Sequence, residues 1–171
     1  MKALFVDTAG WVACADGADP AHDASRAARD AALEAGQTLV TTDCVVDETL
    51  TLIRFRLGLA AARAWWEQVD RSPRLRWEQI DGGRFEKARE LFVEYRDKNF
   101  SFTDCTSFVV MRELRLIDAL STDRHFRQMG FQILPGARRQ VSRGARRRHP
   151  RAHHQREGRG RVLLPAARHQ E

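Results

Sequence analysis

Five short strand-like stretches, Ala3–Val6, Leu39–Thr42, Leu75–Ile80, Ile117–Thr122 (broken by the polar Asp118) and Phe131–Leu134, are separated from one another by stretches with helical character. Short strands alternating with helices imply a mostly parallel sheet sandwiched by helices, an α/β fold. The intervening signals agree. Asp19-Pro20 opens an alanine-rich helix that Gly36 stops, and Asp43 is placed to cap a helix running to Leu57 before Gly58. Another helix runs from Leu59 to Val69. From Arg84 to Arg96, Phe85, Ala88, Leu91, Phe92 and Tyr95 recur at helical spacing. Ser101 begins a helix reaching Arg115, and Asp123 to Met129 form a short one. Asp7 to Gly10 read as a turn leaving the first strand.

At 171 residues the chain has room for one domain with a full core. Its net charge of +6 is unevenly placed. Residues 137–171 carry 11 Arg against Glu157 and Glu171, a net +9, so residues 1–136 hold 18 basic and 21 acidic groups, a net −3. The expected division is therefore a domain over 1–136 and an arginine-rich, disordered tail over 137–171, whose apolar content is too small to offset its ordering entropy. That tail reads either as a nucleic-acid-contacting arm or as a solvated appendage, even an out-of-frame extension. His149, His153 and His154 have metal-like spacing, but Pro150 opposes the helix that would align them.

Cys14, Cys44 and Cys105 are odd in number and scattered, with no C-x-x-C, which argues against a disulfide framework or a zinc site and for reduced thiols in a cytoplasmic protein. The apolar run after Lys2 is too short for a signal peptide. No run approaches the roughly 18 apolar residues of a membrane span.

In open parallel sheets, ligands bind beyond the carboxyl ends of the strands. Asp7 ends the first strand, Asp123 follows another, and Glu48 lies one turn into the helix after Thr41-Thr42, with Val45 and Leu52 on its own face. Asp104 sits in "SFTDCTSF", three residues after Ser101. Each acid has a local explanation: Asp7 as a turn former, Asp104 in a capping box, Asp123 as a helix cap. Glu48 fits such an account least well, because a carboxylate among apolar neighbours needs a partner. Four carboxylates on one edge repel each other unless protons or cations intervene. A hard divalent cation, Mg2+ or Mn2+, suits oxygen donors better than zinc does.

The blocks "FVDTAGW", "TTDCVVDETLTL", "SFTDCTSFVVM" and "STDRHF" resemble the motifs of PIN-domain ribonucleases, particularly VapC-type toxins of toxin–antitoxin pairs, over residues 2–136. The resemblance implies a PIN-like three-layer sandwich and places a catalytic, metal-binding acidic site on Asp7, Glu48, Asp104 and Asp123. It implies metal-dependent hydrolysis of RNA phosphodiesters, a small antitoxin that covers the active edge, and a homodimer for which Trp65, Trp66 and Leu59 are candidate apolar surface. Ala9 departs from the family's usual Ser or Asn, removing one hydrogen bond to the site. Arg54, Arg56, Arg63, Arg124 and Arg127 are candidates for holding RNA.

Two rivals remain. A haloacid-dehalogenase-like phosphatase wants a second Asp where Ala9 stands. A non-catalytic PIN-like module would bind RNA or protein without cutting. If the tail is an RNA-contacting arm, truncation after Gly136 weakens RNA binding and flattens its dependence on salt. An unchanged salt slope in filter-binding assays assigns the tail to the appendage reading.

Overall fold

Leu4, Phe5 and Val6 are consecutive in the chain and wholly buried, so the strand they form is covered on both faces. A one-sided sheet would expose every second residue, and burial of successive residues marks a sheet between helical layers. The computed structural model describes residues 2–136. The segment 137–171, and with it the three tail histidines, lies outside the described residues.

In chain order the elements are β1 (Ala3–Val6), α1 (Thr8–Ala15), α2 (His22–Glu34), β2 (Thr38–Thr42), α3 (Asp43–Leu57), α4 (Leu59–Asp70) and β3 (Leu75–Glu78), followed by α5 (Gly82–Glu94), α6 (Phe102–Glu113), β4 (Asp118–Leu120), α7 (Arg124–Gln128) and β5 (Gln132–Leu134). The sheet order is β3-β2-β1-β4-β5 and every pairing is parallel, with Phe5 opposite both Val40 and Ala119. From β1 the chain builds outward to β2 and β3, then returns to β1's other side for β4 and β5. The carboxyl ends of β1 and β4 therefore flank the topological switch, where their loops diverge and leave a crevice.

The first turn differs from expectation. Asp7 leads directly into α1 as its N-cap, accepting a hydrogen bond from the Ala9 N–H at 3.3 Å. Gly10 makes this possible. A Cβ there would lie 2.2 Å from the Leu120 carbonyl oxygen, which already accepts the Asp7 N–H at 3.1 Å. Only a residue without a side chain lets α1 start so close to the end of β4. At the far end of α3, Gly58 takes φ 90°, a left-handed conformation that turns the chain straight into α4.

A line of aromatic rings runs beneath the sheet's working edge. Phe5 touches Phe126, Phe126 meets Phe108 edge-on at 5.1 Å, and Phe108 meets Phe100 at 5.3 Å. Phe108, Val109 and Met111 bury α6 as its sequence suggests. Phe102 is half-buried and packs outward on Phe85 and Phe92. The Trp pair divides: Trp65 is core, edge-on to Trp11 at 5.6 Å, while Trp66 stays partly exposed beside Trp77. Trp65 is thus not available as a dimer surface.

Strand β3 forms one edge of the sheet and ends at Glu78, two residues short of its expected limit. The buried Glu78 carboxylate pairs with Arg76 and with Arg84 of α5, and Arg84 and Lys87 both reach Glu113 of α6. This ion network ties the edge strand to two helices. All three cysteines are free. Among the described residues no helix is long and apolar enough to cross a membrane.

Gly10→Ala forces a methyl group into backbone that cannot retreat without breaking the β1–β4 junction. We expect a loss of at least about 1–3 kcal/mol, the usual cost of overpacking a tight site, read as a lower urea midpoint with an unchanged m-value.

Candidate active site

Each of the four sequence-selected acids reaches the crevice by a different route. Asp7 sits at the β1–α1 junction, buried to 4 % exposure. Glu48 projects from the second turn of α3, which Thr42 caps by accepting the Val45 N–H at 3.1 Å. Asp104 lies in the first turn of α6 and Asp123 caps α7. All four line one cleft of about 330 Å³, together with Thr8, Ala9, Asp19, Arg56, Asn99, Ser101, Thr122 and His125 among others.

The local explanations and the shared site are both true. Asp104 completes a capping box: its N–H donates to Ser101 Oγ at 3.0 Å, and its Oδ2 accepts the Ser101 N–H at 2.8 Å. Asp123 Oδ1 accepts the His125 N–H at 2.9 Å. These caps fix the carboxylates at helix starts while leaving them open to the cleft. Glu48 has the partner its apolar surroundings require, because Thr8 Oγ1 donates to its Oε2 at 2.7 Å. The tightest cluster contains Asp104, Asp123 and His125, whose ligand atoms lie within 4.8 Å of one another.

Two residues that sequence reasoning passed over shape the site. Ser121 Oγ donates to Asp7 Oδ2 at 2.9 Å and accepts the Asp123 N–H at 3.0 Å. It gives Asp7 a side-chain hydrogen bond that Ala9 lacks the group to provide. His125 places Nδ1 3.1 Å from both Asp104 Oδ2 and Asp123 Oδ2. Both lie in the block STDRHF that carries part of the family resemblance, but within it only Asp123 was assigned a role.

Burial raises the Asp7 pKa to about 7, with the nearby Asp104 charge adding to the effect, while the Ser121 hydroxyl and the backbone N–H groups of Thr8 and Ala9 oppose it. Asp104 is also raised, first by burial and then by the Asp123 charge, against the Ser101 N–H and His125. Neither Asp7 nor Glu48 forms an ion pair with an Arg or Lys among the described residues. A buried carboxylate without a cationic partner, facing three others, is a donor set suited to a hard divalent ion. No cysteine lines the cleft, so a thiolate metal centre is not what it offers.

The PIN domain family model matches residues 4–132. The chain belongs to the PIN-domain family, in its VapC type. The PIN domain is 32% identical over 130 residues to the 23S rRNA-specific endonuclease VapC20 of Mycobacterium tuberculosis, covering 75% of this chain and 95% of that protein. The crystal structure of that VapC20, described as a sarcin-ricin loop cleaving toxin, superposes with a TM-score of 0.66 over the same shares of the two chains. FitAcB from Neisseria gonorrhoeae, 14% identical with a TM-score of 0.55 over 77% of this chain and 96% of that one, shares the PIN fold.

The high Asp7 pKa sets a stability trend. Its unfolded value is near 3.8 and its folded value about 7, so between those limits the folded state holds a proton that the unfolded chain has lost. Stability therefore falls as pH rises through that window, and the penalty is complete above it. In EDTA at pH 8, Asp7→Asn should be more stable than the parent by roughly 2–4 kcal/mol. Denaturant melts should show the advantage vanishing at pH 4.

Proposed function

We propose that this chain is a metal-dependent endoribonuclease, the toxin of a toxin–antitoxin pair, in which Asp7, Glu48, Asp104 and Asp123 hold Mg2+ or Mn2+. The observation that carries this reading is the convergence of four carboxylates from distant parts of the chain on one cleft, without a Lys or Arg ion pair to Asp7 or Glu48 among the described residues. A bound divalent ion supplies Lewis-acid activation of water and neutralises charge at the scissile phosphate.

The chain's own groups do the rest. Ser121 and the Ala9 N–H hold Asp7, Thr8 holds Glu48, and the Ser101 N–H holds Asp104. These donors aim the carboxylates inward and keep them from rotating away from the cleft. Arg56, exposed on α3 at the cleft wall, is placed to meet a phosphate of the incoming strand. Of the five arginines considered from sequence, it alone lines the cleft. The overall negative charge of residues 1–136 then ceases to oppose RNA binding at the point where cutting occurs.

The likeness to VapC20 supports a structured ribosomal RNA loop as the substrate class. A small antitoxin covering the cleft, a homodimer and a cytoplasmic location belong to the same reading. The non-catalytic alternative gains no particular support from the cleft, which retains all four acids.

The test is cleavage of ribosomal RNA by highly purified protein with Mn2+ and with EDTA. Chelation should abolish cutting. Asp104→Asn should fold normally yet lose more than about 100-fold in rate, since even an outer partner of a metal ligand is worth about 10- to 100-fold. Unchanged cleavage by that variant would refute the assignment. Arg56→Ala should weaken RNA binding and lower the log–log salt slope by about one, the share of a single phosphate contact.

A further inference from the structure

A carboxylate that is to meet a cation with one oxygen is best held by the other. Asp104 has this arrangement. Its Oδ2 accepts two donors, the Ser101 N–H at 2.8 Å and His125 Nδ1 at 3.1 Å. Its Oδ1 has no protein hydrogen bond among the described residues, so the fixed oxygen determines where the free one points.

His125 acts on Asp123 as well. Its backbone N–H donates to Asp123 Oδ1 at 2.9 Å, and its ring Nδ1 lies 3.1 Å from Asp123 Oδ2. Two carboxylates thus share one imidazole edge. Ionised carboxylates only accept hydrogen bonds, so the nitrogen facing them must carry the proton. Bearing that proton, Nδ1 has no lone pair for a metal, and only Nε2 keeps one.

The ring itself is restrained. Phe100 meets it edge-on with centroids 5.2 Å apart, and Phe100 in turn packs on Phe108 of the core. The imidazole therefore stands between the aromatic core and the acids, and it is only partly exposed.

We propose that His125 is a positioning residue: through Nδ1–H it clamps Asp104 and Asp123 in the orientation that receives the cation, with that nitrogen committed to the two carboxylates and not to the metal. This rests on the metal-site reading given above and deepens it. Hydrogen-bonding partners that orient ligating groups typically matter about 10- to 100-fold for metal affinity.

The geometry makes a specific substitution informative. An Asn side-chain NH2 can stand where Nδ1–H stands, whereas the longer Gln places its amide further out, nearer the Nε2 position. Mn2+ titration calorimetry on the whole chain should give His125→Asn an affinity within about threefold of the parent, and His125→Gln and His125→Ala affinities about 10- to 100-fold weaker. Equal losses in all three variants, or no loss in any, would overturn the proposal. Nitrogen-15 NMR of the metal-free parent needs no variant and should find the proton on Nδ1; an unprotonated Nδ1 would overturn it. In the Mn2+-loaded parent, pulsed electron paramagnetic resonance should show no directly coordinated imidazole nitrogen, and such a coupling would make His125 a ligand instead. No Mn2+ uptake by the parent defeats the metal-site reading and this one together. Uptake with the wrong variant order defeats this one alone.

Discussion

Mutual repulsion of carboxylates in a partly desolvated cleft is the constraint that the rest of this molecule serves. Such groups move apart, rotate outward or take up protons unless the surrounding structure prevents it. Here movement and rotation are prevented by short bonds from rigid places: Ser121 at the end of β4, Thr8 in the first turn of α1, the Ser101 N–H at the start of α6 and the His125 imidazole. No Lys or Arg pairs with Asp7 among the described residues, and burial with the Asp104 charge beside it raises its pKa to about 7. The scaffold thus stores an electrostatic penalty, one that a cation would relieve under the proposed function, a familiar trade between stability and function.

The topology explains how so few residues accomplish this. Because β1 and β4 are neighbours whose chains leave in opposite directions, Asp7 and Ser121 come within hydrogen-bonding distance although 114 positions separate them. Gly10 closes the arrangement by letting α1 rest against the Leu120 backbone. The site depends on that approach being close: a helix set further back would carry Thr8 away from Glu48 and the Ala9 N–H away from Asp7. The geometry of the cleft and backbone packing are here the same contacts.

Much of this was legible in the sequence, for reasons that differ by residue. Strand and helix alternation gave the parallel sheet: β1, buried on both faces, writes itself as an apolar run, while the edge strands β3 and β5 carry polar residues and were marked by their place between helices. The acids were legible because strand-end positions and the capping box at Ser101 and Asp104 have local signatures. Glu48 was marked by its misfit with Val45 and Leu52. Local patterns also misled: Asp7 to Gly10 has turn chemistry, yet the packing space beside Leu120 turned it into a helix start. Ser121 and His125 were illegible because a serine after a strand and a histidine after a cap mean nothing until the fold brings Asp7 and Asp104 beside them. Trp65 and Trp66, adjacent and identical in type, could not be told apart without knowing which helical face met Trp11.

The sheet's outer boundary at β3 has a different consequence. A bare strand margin offers unpaired amide and carbonyl groups to any neighbouring chain and so invites intermolecular sheet growth. This margin is only four residues long, and Arg76, Glu78, Arg84, Glu113 and Lys87 fence it with alternating charges. A second molecule adding a strand there would have to strip water from that fence before gaining a single ladder bond. The same salt links that hold the edge to its helices thereby discourage fibrous self-association.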